Sequence, residues 1–217
     1  MEEYSKSLSS HEKALEIEQK TLPSNYPSLA RSYNNIGLVS NKMGEYSKAL
    51  SLYEKAFKIY QKTLAPNHPN SATLYNNIGL VYGSIGQYSK QLSFYEKALR
   101  IWQKTLHSNH PSLATSYNNM GSVYEKMGEY SKALSFYEKA LEIRHKTLPS
   151  NHPDLANSCS NIGMVYYNTK DYSKALSYFE RALDIWQRTL PPTHPNIETV
   201  KWNIEIVKKK SREISDK

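Results

Sequence analysis

Residues 111–152 read PSLATSYNNMGSVYEKMGEYSKALSFYEKALEIRHKTLPSNH, and the stretch 27–68 matches them at 30 of 42 positions. Pro27, Pro69, Pro111, Pro153 and Pro195 open successive copies. A strict period of this length marks an array of stacked repeats, each burying its apolar face against its neighbours. The whole 217-residue chain is one repeat domain: a half-repeat at 1–26, whole repeats at 27–68, 69–110, 111–152 and 153–194, and a capping helix at 195–217. The functional question is therefore what the faces of the array hold.

Within one repeat the pattern predicts two helices. Proline suits the first helical turn, where its missing N–H costs nothing. From Pro111, the residues Leu113, Tyr117, Met120, Val123 and Tyr124 recur at helical spacing. Gly128 ends that helix, and Tyr130, Ala133, Leu134, Tyr137, Ala140, Leu141 and Ile143 form the stripe of a second one, running to about Leu148. Gly37, Gly79, Gly121 and Gly163 stand mid-helix, where glycine costs ~1 kcal/mol against alanine. Close approach of the second helix is the expected reason, with the alanines at 49, 133 and 175 and at 56, 98, 140 and 182 as the facing surface. Gln91 departs from that alanine column and is expected to loosen the second repeat. Ser7, His11 and Glu205 make the ends more polar than the interior, as capping elements should be.

Composition narrows the chemistry. One cysteine, Cys159, excludes an internal disulfide framework and fits a reducing compartment. With no basic-apolar leader and no apolar run of spanning length, a cytoplasmic protein that binds no membrane is expected. His68, His110, His152 and His194 recur once per repeat, the spacing of the stack and not of converging metal ligands, so a loop or helix-start role is expected and no metal. The MGEYSK strings lack phosphate-loop spacing, and neither paired carboxylates nor a nucleophile constellation is present; no enzyme and no cofactor are expected. The net charge of +8 is uneven: residues 27–68 carry +4 and 69–110 carry +3, against +1 and 0 for the next two repeats. This favours an acidic partner near the first two repeats.

The columns Tyr117, Met120-Gly121, Tyr124, Ala133, Tyr137 and Ala140 resemble the tetratricopeptide repeat. The 42-residue length, the His-Pro start, the paired asparagines and the KALEIRHKTL run resemble its kinesin light chain type, over essentially the whole chain and for the repeat domain alone. The resemblance implies an all-α, right-handed solenoid of antiparallel helix pairs, with about ten helices. It further implies a concave groove lined by first helices, where asparagines bond the backbone of an extended peptide and basic groups receive its acidic side chains around an aromatic anchor. Carried over by position, the groove residues are Arg31, Asn34, Asn35, Thr73, Asn76, Asn77, Thr115, Asn118, Asn119, Asn161, Tyr167 and Trp202, together with Ser160, Asn157, Thr199 and Asn203 in the same columns. A further column reads Asn41, Gly83, Glu125 and Tyr167, and Arg144 matches a basic family position whose equivalents are Tyr60, Trp102 and Trp186.

Asparagine is a middling helix former, so two in succession in three repeats require a reason. Its amide donates and accepts at once, which suits an extended peptide backbone. Equally, one asparagine of each pair can bond the backbone of the neighbouring repeat and fix the stacking. Most of the 18 tyrosines occupy stripe positions and read as core, whereas Tyr167 and Trp202 fall on the groove face. The reading is a protein-interaction scaffold for a linear, acidic and aromatic peptide, monomeric in isolation. The alternatives are a structural spacer or self-assembly module, and single-stranded nucleic-acid binding, which the apolar or small residues at Leu38, Leu80, Ser122 and Met164 disfavour.

Overall fold

Each repeat begins with a helix because a proline prepares its first turn, preceded by histidine at 68, 110, 152 and 194 and by Tyr26 in the first whole repeat. The computed structural model describes residues 2–215. In it the helices are α1 (Glu2–Thr21), α2 (Pro27–Lys42), α3 (Tyr46–Thr63), α4 (Pro69–Ser84), α5 (Tyr88–Thr105), α6 (Pro111–Lys126), α7 (Tyr130–Thr147), α8 (Pro153–Asn168), α9 (Tyr172–Thr189) and α10 (Pro195–Ser215). Among the described residues there is no strand. His68, His110 and His152 sit at the N-caps of α4, α6 and α8, where Nδ1 accepts the backbone N–H of Asn70, Ser112 and Asp154 at 3.1–3.2 Å. This satisfies one of the donors that a helix start leaves without a partner. His194 does the same for Asn196 at 3.2 Å. The recurring histidines are thus helix starters.

The turn between the two helices of a repeat needs a left-handed residue. Gly44, Gly86 and Gly128 supply it with φ of 82°, 74° and 76°. In the third repeat the N–H of Glu129 then reaches the carbonyl of Tyr124 at 2.9 Å, closing the end of α6. The fourth repeat carries Lys170 at this place, with φ 63°. An L side chain there costs ~1–2 kcal/mol, partly offset by the entropy that glycine loses on folding. Lys170→Gly is accordingly expected to stabilise the chain by ~0.5–1 kcal/mol, read from denaturant midpoints. An unchanged or lower midpoint would refute the strain.

The chain divides into an N-terminal block, residues 1–106, and a C-terminal block, residues 107–217. The N-terminal block packs α1 to α5 around Leu8, Leu15, Leu29, Ile36, Leu52, Tyr53, Leu74 and Val81. The C-terminal block is built around Tyr137, Leu155, Ile162, Val165, Phe179, Trp186, Ile197 and Val200. Inside each helix pair the mid-helix glycine meets an aromatic ring. A Cβ placed on Gly37, Gly79, Gly121 or Gly163 would lie 2.6–2.8 Å from the ring of Tyr53, Tyr95, Tyr137 or Phe179. The close approach expected from the glycine column is present, but an aromatic side chain fills the space where the alanines were expected.

Gln91 is packed inside its repeat, with its Oε1 buried and without a hydrogen-bond partner. It is 6% exposed, and its Nε2 donates to the Tyr95 hydroxyl at 3.2 Å. Its larger side chain fits because residue 83, on the facing helix, is glycine: a Cβ there would come within 2.5 Å of the Gln91 amide. The other repeats have alanine against Asn41, Glu125 or Tyr167. The two departures compensate each other in volume.

Candidate functional site: the first-helix faces

In the N-terminal block the face starts from α2 and α4. Arg31 and Thr73 are exposed, Asn34, Asn35 and Asn76 are half-buried, and Asn77 is buried. Asn77 Nδ2 donates to Asn34 Oδ1 at 2.9 Å, joining one repeat to the next. The C-terminal block repeats the arrangement on α6 and α8, with Asn161 Nδ2 donating to Asn118 Oδ1 at 3.0 Å. Thr115 is exposed there, while Asn118, Asn119 and Asn161 are half-buried. In each tie the second asparagine of one repeat serves the first asparagine of the repeat before it. The bond runs between side chains, whereas a tie to neighbouring backbone was the stacking expectation. An amide has two donor hydrogens and two acceptor lone pairs, so a tie of this kind leaves both partners with capacity for a ligand.

Arg144 ties two helices together. It is half-buried, and its Nη1 donates to Ser158 Oγ at 2.6 Å and to the Asp154 carbonyl at 3.4 Å, binding α7 to α8. Glu125, in the further column, accepts from the Tyr137 hydroxyl at 2.8 Å. Burial raises its pKa above 4.5, with the Tyr137 bond and nearby Lys126 acting in the opposite direction. A carboxyl raised in the folded state contributes stability that is complete below the unfolded pKa and is lost as pH rises through the folded one. Glu125→Gln keeps an acceptor for Tyr137 and removes the buried charge. It is expected to melt higher than the parent at pH 7, with the gap closing below pH 4.5. A gap that persisted in acid would rule out ionisation as the cause.

Tyr167 and Trp202, the two groove aromatics expected from the sequence, come together. They wall a cavity of about 150 Å³ with Met164, Phe179, Asn203 and Ile206. Trp202 is 65% exposed, and the Tyr167 ring lies 5.9 Å from that of Tyr172. Cavities of ~150 Å³ with apolar walls take a benzene-sized group. The arrangement offers an apolar socket beside polar amides, and no chemistry of bond-making.

A second concavity was not foreseen. In the N-terminal block Phe57, Tyr75, Tyr82 and Phe94 wall a cleft of about 530 Å³, with Glu54 and Lys97 among its lining. Tyr82 stacks on Phe94 at 5.4 Å, and Lys97 Nζ stands 4.8 Å over the Phe94 ring. The tyrosine stripe reads as core in the sequence, yet Tyr75 and Tyr82 are only half-buried. The signal was the pairing of these columns with Phe94 and Phe136 on the second helices.

Cys159 is buried, and burial raises its thiol pKa, against the nucleophile's requirement. Among the described residues no His, Cys, Asp and Glu group could hold a metal ion, and no helix is long and apolar enough to cross a membrane.

The family comparisons agree with the helix pairs. One model of the tetratricopeptide repeat matches residues 1–62, 28–90 and 92–146, and a second matches 71–112 and 155–196. No protein with a curated description matches the chain. Among solved structures, BtubC (BKLC) from P. vanneervenii aligns with a TM-score of 0.83 at 23% identity, over 98% of this chain and 85% of its own. A putative kinesin light chain of Podosopora anserina with nearly identical TPR-like repeats aligns at 0.75 and 25% identity, over 88% and 90%. The apo form of RapI aligns at 0.74 and 20% identity, over 85% and 64%. Repeats of this kind generally mediate protein–protein interaction. The chain belongs to the tetratricopeptide repeat family, and its repeats are similar to those of a kinesin light chain.

Proposed function

We propose that the chain is a protein-interaction scaffold whose first-helix faces hold extended peptides. The observation that carries this reading is Trp202, a largely exposed indole standing over an apolar cavity. An exposed aromatic of that size beside an apolar socket suits an anchor side chain of a partner. In the N-terminal block the exposed Arg31 and the positive charge of residues 27–110 favour acidic residues in the ligand. The asparagine pairs contribute stacking through one amide end and ligand bonds through the other. The chain acts as a monomer in dilute solution, binds no nucleic acid, and works in the cytoplasm.

The test is a library of short, terminally blocked peptides, each with one leucine or aromatic residue among aspartates and glutamates. Binding to the full chain is measured by fluorescence anisotropy. Binders should weaken as salt rises, because exposed charge attraction is screened. Arg31→Glu should weaken them further while leaving the melt unchanged, since Arg31 is exposed. A library without binders, or affinity indifferent to both salt and Arg31, would overturn the reading.

A further inference from the structure

Phe57 is the one aromatic in a column whose other members are Leu15, Leu99, Leu141 and Leu183. Its ring begins a row on the second-helix side of the N-terminal block. Phe57 meets Tyr75 at 5.7 Å between ring centres, Tyr75 meets Phe94 at 6.1 Å, and Phe94 stacks on Tyr82. All four side chains are half-buried, so each keeps part of its surface in water. Tyr75 and Tyr82 project from the side of α4 opposite Thr73, which separates this row from the first-helix face.

The cleft of about 530 Å³ beside these rings does not end at Phe57. A concavity of about 330 Å³ shares Phe57 and Tyr75 with it and continues past Gln61 to Pro66. Leu50, Glu54, Phe57 and Gln61 follow one face of α3, so the joined depression runs for three helical turns, ~17 Å. Contiguous exposed apolar surface of this kind is where partners dock.

Two features select the occupant. The walls are mostly rings and aliphatic chains, with few groups to bond a peptide backbone. An extended strand would bring its N–H and C=O groups against carbon, whereas a helix has already satisfied its own. Charge then sets the sign. Lys97 Nζ stands 5.8 Å from the Tyr75 ring as well as over Phe94, and Lys90 Nζ stands 5.3 Å over Tyr82. Both lysines are exposed, and neither is ion-paired among the described residues. The carboxylate in the lining, Glu54, is held by Lys58 at 2.8 Å.

We propose that this cleft docks an acidic amphipathic helix of a partner protein, its leucine or aromatic stripe on the ring row and its carboxylates on Lys90 and Lys97. The N-terminal block thus holds a helix on one side and an extended peptide on the other.

Fluorescence anisotropy measures binding of the full chain to two sets of blocked helices of about 18 residues, long enough to keep helical shape in water. Every third or fourth position carries leucine, phenylalanine or tryptophan; beside that stripe one set has glutamate and the other lysine. Members of the glutamate set should bind, and the lysine set should not. Lys97→Glu should weaken the binders about tenfold. Phe57→Leu should weaken them about fivefold with a melt close to the parent's, since leucine holds that column elsewhere. A glutamate set without binders, equal binding by both sets, or affinity indifferent to either substitution would overturn the proposal. Rings beside lysines also suit stacked bases, so oligo(dT) is titrated in parallel. Oligo(dT) binding that Lys97→Glu removes, with the helices unbound, would assign the cleft to nucleic acid and overturn it too. The short acidic peptides tested on the first-helix faces should neither displace the helices nor respond to Phe57→Leu. Displacement would put both on one surface and overturn the proposal; without it, either reading can fail while the other stands.

Discussion

Leucine at Gly121 is expected to destabilise the chain by ~1–3 kcal/mol or more, the cost of overpacking a filled core. At this chain length each kcal/mol lowers the melting temperature by ~2–4 °C. The first added carbon alone would stand 2.7 Å from Cδ1 and Cε1 of Tyr137 and 3.0 Å from its Cγ. That ring cannot swing aside: it is 2% exposed, and its hydroxyl is fixed on Glu125 at 2.8 Å. Relief must come from separating α6 and α7, which undoes the packing of the repeat. Leucine at Glu205, the same position in α10, is the control. Glu205 is exposed, and the described residues place no further helix against it, so the change should be near neutral. Equal losses in the two melts would mean that the glycine column answers to something other than the ring.

How much of this was legible follows from the range of each interaction. Helix pairs, their starts at proline and their turns at glycine are local, and a 42-residue period repeats each signal enough times to read it. The need for a small residue at Gly121 is also local. Which side chain answers it is not, because the ring of Tyr137 and the methyl of Ala133 both recur on the facing helix and only three-dimensional placement separates them. Gly83 and Gln91 show the same limit: each breaks its own column, and their compensation is visible only when the two side chains are seen to meet. The asparagine tie links residues 43 apart, Asn34 with Asn77 and Asn118 with Asn161. Composition gave its polarity, while the choice between ligand and stacking partner depended on geometry. Tyr167 and Trp202 could be found because they depart from polar columns.

Alanine at Trp202 carries the largest expected effect on binding. Removing an indole that anchors a partner costs at least ~2 kcal/mol where the anchor is central to the interface. For peptides with a leucine or aromatic residue this is about a thirtyfold loss of affinity. The folded chain should hardly notice, because the side chain is 65% exposed and surface substitutions usually fall within ~0.5 kcal/mol. Tyr167→Ala should weaken the same peptides less, its ring being half-buried and in contact with Tyr172. The double variant should lose less than the sum of the two, as walls of one cavity share the energy of the group they enclose. Anisotropy titrations and thermal melts on all three variants decide the matter. Affinity kept by Trp202→Ala would remove the cavity from the binding surface. Affinity lost together with a melt lowered by several degrees would make the indole a cover for Phe179, which also lines the cavity, and a structural residue.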